Sequence, residues 1–248
     1  MTLVHTENVA GVATLTLDSP HNRNALSSAL IDELVAALDG AASDPTVRVV
    51  RLTHTGPVFC SGADLKEVGS VPASRMGEVL AAVWECPKPV VARVGGPARA
   101  GGLGLVAAAD IAVCAREATF AFTEVRLGVI PAVISATVLP RLAPRAAAEL
   151  FLTGDTFDGV RAAEVGLVTV AVPAEELDPV VDRYVQSLLR GGPIALGATK
   201  TLLRGNASIR DQLSELSELS VSFFSSPEGR EGAASFREKR QPSWVPND

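Results

Sequence analysis

Residues 88–132 read KPVVARVGGPARAGGLGLVAAADIAVCAREATFAFTEVRLGVIPA, and the order of residue types along them points to the fold class. Residues 89–94 form a β-branched run of strand length. Residues 95–102 hold too much glycine for regular structure, and residues 102–110 are small and apolar enough for a buried helix. Gly101 falls at the start of that helix, where unpaired N–H groups and the positive end of the helix dipole converge. A residue without a Cβ there lets a ligand oxygen approach the backbone closely. Such a place can stabilise a developing oxyanion. Glu124, further along, supplies a candidate base.

Working outward, residues 9–17 alternate like a strand, residues 19–22 form a turn, and Leu26, Leu30, Leu34 and Leu38 make a helical stripe. Further strands are expected at 47–52, 111–114 and 167–172, so the chain is α/β. From about residue 175 the sequence becomes helical and more charged, with helices expected at 175–190, 193–204, 207–224 and 228–239, separated by Gly191–Gly192, Asn206 and Pro227. Residues 1–174 are therefore expected as the core and 175–248 as a separate helical appendage. No period of repeat length is present.

The 248 residues are 47% hydrophobic and 20% charged, enough apolar material for one large core. With 4% aromatics and a net charge of −6, the chain lacks both the stacking platforms and the basic footprint of a nucleic-acid binder. Cys60, Cys86 and Cys114 are odd in number and show no CxxC spacing, which argues against disulfide or zinc frameworks and for a reducing, cytoplasmic setting. The N-terminus carries Glu7 and Asp18 where a signal peptide would be basic and then apolar. The apolar run 127–139 is short and contains Pro131, so no membrane partner is expected.

Gly102, Gly104 and Ala107 also fit G-x-G-x-x-A, with Glu124 about twenty residues on, as in a dinucleotide fingerprint. The loop between residue 94 and Gly102 counts against it, because that fingerprint wants its first glycine at the strand's end. Close helix packing is the plain alternative for these glycines. Cys60, Ser61 and His54 lack a base-orienting partner and no G-x-S-x-G elbow exists. His5, His21 and His54 lie in separate segments, which does not suggest a metal site.

The stretch F-C-S-G-A-D-L-K-E at 59–67, followed by K-P-V-V-A-x-V, G-G-L-G, D-I-A and T-E-V-R-L-G-V-I-P, resembles the enoyl-CoA hydratase/isomerase (crotonase) superfamily. H-N-R-N-A-L at 21–26, L-T-G-D-x-F-D at 152–158, V-G-L-V at 165–168 and F-R-E-K-R at 236–240 match in the family's order, so the resemblance covers nearly the whole chain. It implies a crotonase-like spiral of ββα units with a C-terminal helical region that assembles homo-trimers, often paired into hexamers. It implies CoA thioester binding, with Ala63 and Gly101 as the backbone donors to the thioester oxygen. Ala63, Asp64, Leu65 and Lys66 would line the adenine and ribose pocket. Arg23, beside Ala25, and Lys66 would lie near phosphates, and Phe236 and Lys239 match tail positions that complete a neighbouring subunit's CoA site. For Lys66 and Lys239 a solvated surface role stands alongside.

The family's hydratases carry two glutamates. Glu124 matches the second, and the first falls on Gly104, which has no proton to give. A single glutamate is chemically simplest for moving a proton between C2 and C4, the isomerisation of 3-enoyl-CoA to 2-enoyl-CoA. The surrounding motifs look most like hydratases of methylglutaconyl-type and other branched enoyl-CoA thioesters. The expectation is a hydratase with the isomerase as its alternative, and a silent acyl-CoA binder or an NAD-dependent dehydrogenase as further readings. The proposed chemistry needs no cofactor, coenzyme A being part of the substrate.

Overall fold

The computed structural model describes residues 2–64, 66–67, 74–205 and 208–245. The chain opens with β1 (Val4–Val9) and β2 (Val12–Leu17), paired antiparallel across Ala10 and Gly11, both of positive φ. The sequence pattern merges this hairpin into one strand at 9–17, because β1, at the sheet edge, exposes everything after Val4 and carries no apolar alternation. Next comes α1 (Ser28–Ser43), which starts where the Ser27 hydroxyl accepts from Leu30 N at 3.3 Å and buries Leu30, Leu34 and Leu38 as expected.

Five more elements alternate through the middle: β3 (Val49–His54), α2 (Ser74–Glu85), β4 (Val90–Val94), β5 (Ala98–Arg99) and α3 (Gly101–Ala108). They are followed by β6 (Ile111–Ala115), β7 (Thr119–Ala121), α4 (Ala132–Val138), α5 (Pro144–Thr153), β8 (Phe157–Asp158), α6 (Gly159–Glu164) and β9 (Val170–Val172). Six strands form one sheet in the order β1-β2-β3-β4-β6-β9, parallel beyond the first hairpin, and β5-β7-β8 form a second. Such parallel strands are largely buried on both faces, which is why β4 and β6 read as small and β-branched runs broken only by the half-buried Arg93.

From β4 the chain crosses to the small sheet at β5, turns into α3, and returns to the large sheet at β6. That excursion starts α3 directly after β5, with its N-terminus against the loop that bears Gly62. β5 lies where the sequence suggests only an irregular loop. It is two residues long, and its pairing with Phe120 and Ala121 leaves no side-chain signature. The strand expected at 167–172 begins only at Val170, since Leu167 N is drawn into a bond with Ala162 O at 2.9 Å.

The helices α7 (Leu177–Leu189), α8 (Pro193–Arg204), α9 (Ile209–Phe224) and α10 (Pro227–Glu238) lie close to their expected bounds. α7 packs on β3, β4 and β6, α9 lies against α2 and α4, and α10 rests on the turn at residues 123–127. Among the described residues no helix is long and apolar enough to cross a membrane.

Candidate active site

Two loops meet at the start of α3. Gly62, at φ +91°, packs so tightly that an added Cβ would lie 2.8 Å from Ala100 Cβ and 3.1 Å from Arg99 O. Glycine is needed there both for its conformation and for the close approach. Leu26 N donates to Gly62 O at 2.8 Å, Asp64 N to Leu26 O at 3.3 Å, and Arg99 N to Cys60 O at 3.0 Å, so both loops are fixed by backbone bonds. Among the described residues, the N–H groups of Ala63 and Gly101 have no protein acceptor. Ala100, between Arg99 and Gly101, holds φ 46° and ψ −118°, a conformation costing an alanine on the order of 1–3 kcal/mol. The Arg99 guanidinium anchors the preceding residue by donating to Thr119 O at 2.5 Å and Thr119 Oγ1 at 2.9 Å.

Glu124 stands on a 3-10 turn, Thr123–Leu127, closed by Gly128 in the left-handed region. Its Oε2 is buried, and no described group reaches hydrogen-bond distance. Burial pushes its carboxyl up to about 7, against the opposing pull of its own backbone N–H. A carboxyl poised there exchanges protons readily near neutral pH.

Ala63, Gly101 and Glu124 open onto one cavity of about 500 Å³, so the structure brings these three expected residues together. Leu26, Ile31, Met76, Val133, Ile134 and Phe224 supply its apolar walls. Several of these were not read from the sequence. Met76 meets the Gly101 face, with Cε 2.6 Å and Sδ 2.8 Å from where a Cβ at Gly101 would stand. From α9 and its C-cap come Ser220, Val221, Phe224 and Ser225, wall residues in a region expected to serve assembly and a neighbouring subunit's CoA site. The sole hint was that α9 has apolar residues spaced along one face.

Asp64 also lines the cavity, while Ala25 is buried and Arg23 and Lys66 are exposed outside the lining. Leu65 falls outside the described residues. Phe236 and Lys239, at the end of α10, are exposed and do not reach this cavity. Cys60 is buried with its thiol pushed up to about 12, and His54 Nε2 is engaged by Gly95 N at 3.1 Å, which leaves neither as a nucleophile or base here. The G-x-G-x-x-A residues lie within α3, buried throughout, and Glu124 sits on a 3-10 turn rather than at a strand end, unlike a dinucleotide fingerprint.

A family profile described as Enoyl-CoA hydratase/isomerase matches residues 7–247. The chain belongs to this family. Among solved structures, an enoyl-CoA hydratase from Mycobacterium avium superposes with a TM-score of 0.91 at 46% identity, covering 99% of this chain and 100% of that one. A hydroxycinnamoyl-CoA hydratase-lyase of Pseudomonas fluorescens is 34% identical over 77% of this chain and 74% of its own. An enoyl-CoA isomerase/hydratase of Mycosarcoma maydis is 30% identical over 96% and 93%. The crotonase fold and membership of this acyl-CoA enzyme family are thereby shown.

Within the family pattern, Gly104 is the position that departs. It is buried, and an added Cβ would meet Ile134 Cγ2 at 3.0 Å and Leu80 Cδ2 at 3.0 Å. Its carbonyl accepts from the Thr137 hydroxyl at 3.1 Å, and it does not line the cavity. Packing leaves no room there for a longer side chain. Asp110 is no substitute: it accepts from Val90 N at 2.8 Å, Lys200 Nζ at 2.7 Å and Arg204 Nη2 at 2.6 Å, a bound role at the far end of α3.

Proposed function

We propose that the protein is an enoyl-CoA hydratase in which Glu124 alone carries the protons and the amides of Ala63 and Gly101 hold the thioester oxygen. The observation that carries this reading is the convergence on a single cavity of two unpartnered amides and one buried carboxyl whose Oε2 has no partner. As the carboxylate, Glu124 takes a proton from water while the water oxygen bonds to C3. The C2=C3 electrons move into the thioester, and the resulting enolate oxygen lies against the two N–H groups. Glu124 then returns the proton to C2, giving the 3-hydroxyacyl thioester with atoms and charge balanced. Each amide donor is worth roughly 3 kcal/mol in the transition state.

The lining favours an uncharged acyl group. Asp64, Glu67 and Glu124 face the cavity, and its one cation in the described lining, Arg75, is already paired with Asp32 and Glu78. A methylglutaconyl carboxylate would therefore meet more negative than positive charge. The reaction uses no cofactor beyond the CoA carried by the substrate, and three buried free cysteines suit a cytoplasmic, reducing setting.

One observation favours the isomerase as second reading: with packing in place of an acid at Gly104, a lone carboxylate moving a proton from C2 to C4 needs no oriented water. Supplying short and branched 2-enoyl-CoA and 3-enoyl-CoA and identifying the products decides between them. The first reading requires 3-hydroxyacyl product from 2-enoyl-CoA. Bond migration without water addition would replace it with the second.

A further inference from the structure

The tail of the chain closes onto the turn that bears Glu124. α10 buries Gly229, Gly232 and Ser235, and at Gly232 the contact is backbone to backbone. A Cβ there would stand 1.9 Å from Leu127 O and 2.3 Å from Leu127 C, atoms that cannot swing aside. A second contact falls one residue on, where Glu228 O and Trp244 Cη2 lie 2.6 Å and 2.9 Å from the place of a Cβ on Gly128. Leu127 and Gly128 close the Glu124 turn, whose bonds run from Gly128 N to Val125 O (3.2 Å) and from Val129 N to Glu124 O (3.1 Å). The seat of α10 therefore sets the seat of the Glu124 backbone.

We propose that Gly232 is a positioning residue for Glu124: by admitting the Leu127 carbonyl against its Cα, it lets α10 seal the turn and keep the carboxylate dry and aimed into the cavity. This rests on the reading of Glu124 as the proton carrier. The charged groups on the turn and on the elements around it are Arg126, paired with Asp155; Glu228, Arg230, Glu231, Arg237 and Glu238 on α10, with Glu231 and Glu238 both paired with Arg240; Arg145 and Glu149 on α5; and Asp64, Glu67 and Arg75 in the cavity wall. It is burial, and none of these charges, that lifts the Glu124 carboxyl. An alanine at 232 must push α10 away by roughly an ångström, because close-packed backbone has no slack, and water then reaches the turn.

The test is the pH dependence of kcat/KM for the full chain and for Gly232→Ala, with Gly40→Ala as control. Gly40 is also in a helix, but a Cβ there meets nothing within 4 Å. Gly232→Ala is expected to lower kcat about tenfold with KM little changed, and to move the acid limb about one pH unit toward the ordinary carboxylate range, while Gly40→Ala overlays the parent. If Gly232→Ala does not fold, Trp244→Ala, at a residue 40% exposed, is expected to move the limb in the same direction. A folded Gly232→Ala, or in its place a folded Trp244→Ala, with the parent's profile and kcat overturns the inference. Glu124→Gln run alongside separates the two levels. Near-normal turnover there removes the proton-carrier reading and this inference with it, whereas collapse there beside an unchanged Gly232→Ala removes this inference alone.

Discussion

Glu124 is costly to the fold and useful to the chemistry for one reason, the burial that lifts its carboxyl from 4.5 to about 7. Replacing it by Gln keeps shape and removes the titrating proton, so turnover should fall by a factor on the order of 10² to 10⁴ with little change in substrate affinity. The sign for stability is opposite. The folded protein holds this proton more tightly than the unfolded chain, so stability is full below about pH 4.5 and declines as pH rises through about 7. Glu124→Gln should therefore be more stable than the parent at pH 8, by up to about 3 kcal/mol, and no more stable below about pH 4. Denaturant midpoints at the two pH values check this. Gly101→Val would first strike Met76 Cε and Sδ and then Leu26, crowding the amide; a loss of roughly 3 kcal/mol in kcat/KM is expected from steady-state kinetics. Both residues were legible from glycine at a helix start and glutamate in a family motif. Met76 was not, because nothing local in a sequence says which apolar residue of one helix lies over the glycine of another.

At the scale of elements, α3 does two jobs: its N-terminus faces the cavity, and its C-terminal end is held by Arg141, which donates to Ala107 O at 3.0 Å and Ala109 O at 3.1 Å. Its middle is pure packing. Gly104→Glu, which would restore the family's first carboxylate, must instead drive a charge between Leu80 and Ile134, so we expect it to lose several kcal/mol of stability and fold poorly. Thermal unfolding measures this; a well-folded variant with unchanged stability would show that the α2, α3 and α4 packing can open. Strands β2, β3, β4, β6 and β9 of the large sheet were legible because burial leaves a composition or a period, and the four C-terminal helices because Gly191–Gly192, Asn206 and Pro227 punctuate a charged helical region. β1, β5 and β8 were not, being an exposed edge or two residues long. α4 escaped for another reason: its seven residues, AVISATV, are buried nearly all round and show no helical stripe.

For the whole molecule, α8 exposes Ile194, Leu202 and Leu203 at 88%, 80% and 82%, large apolar side chains that a monomer would leave in water. We expect a homo-trimer or a pair of trimers, and sedimentation giving a monomer at micromolar concentration would contradict it. The central claim, that Glu124 forms and quenches an enolate held by Ala63 and Gly101, is common to hydration and isomerisation. It is tested most directly by following exchange of the C2 protons of a saturated short-chain acyl-CoA in D2O. The account predicts deuterium at C2 with the parent enzyme, and a rate lower by a factor on the order of 10² or more with Glu124→Gln although the thioester still binds. Exchange at the parent's rate in Glu124→Gln would contradict it.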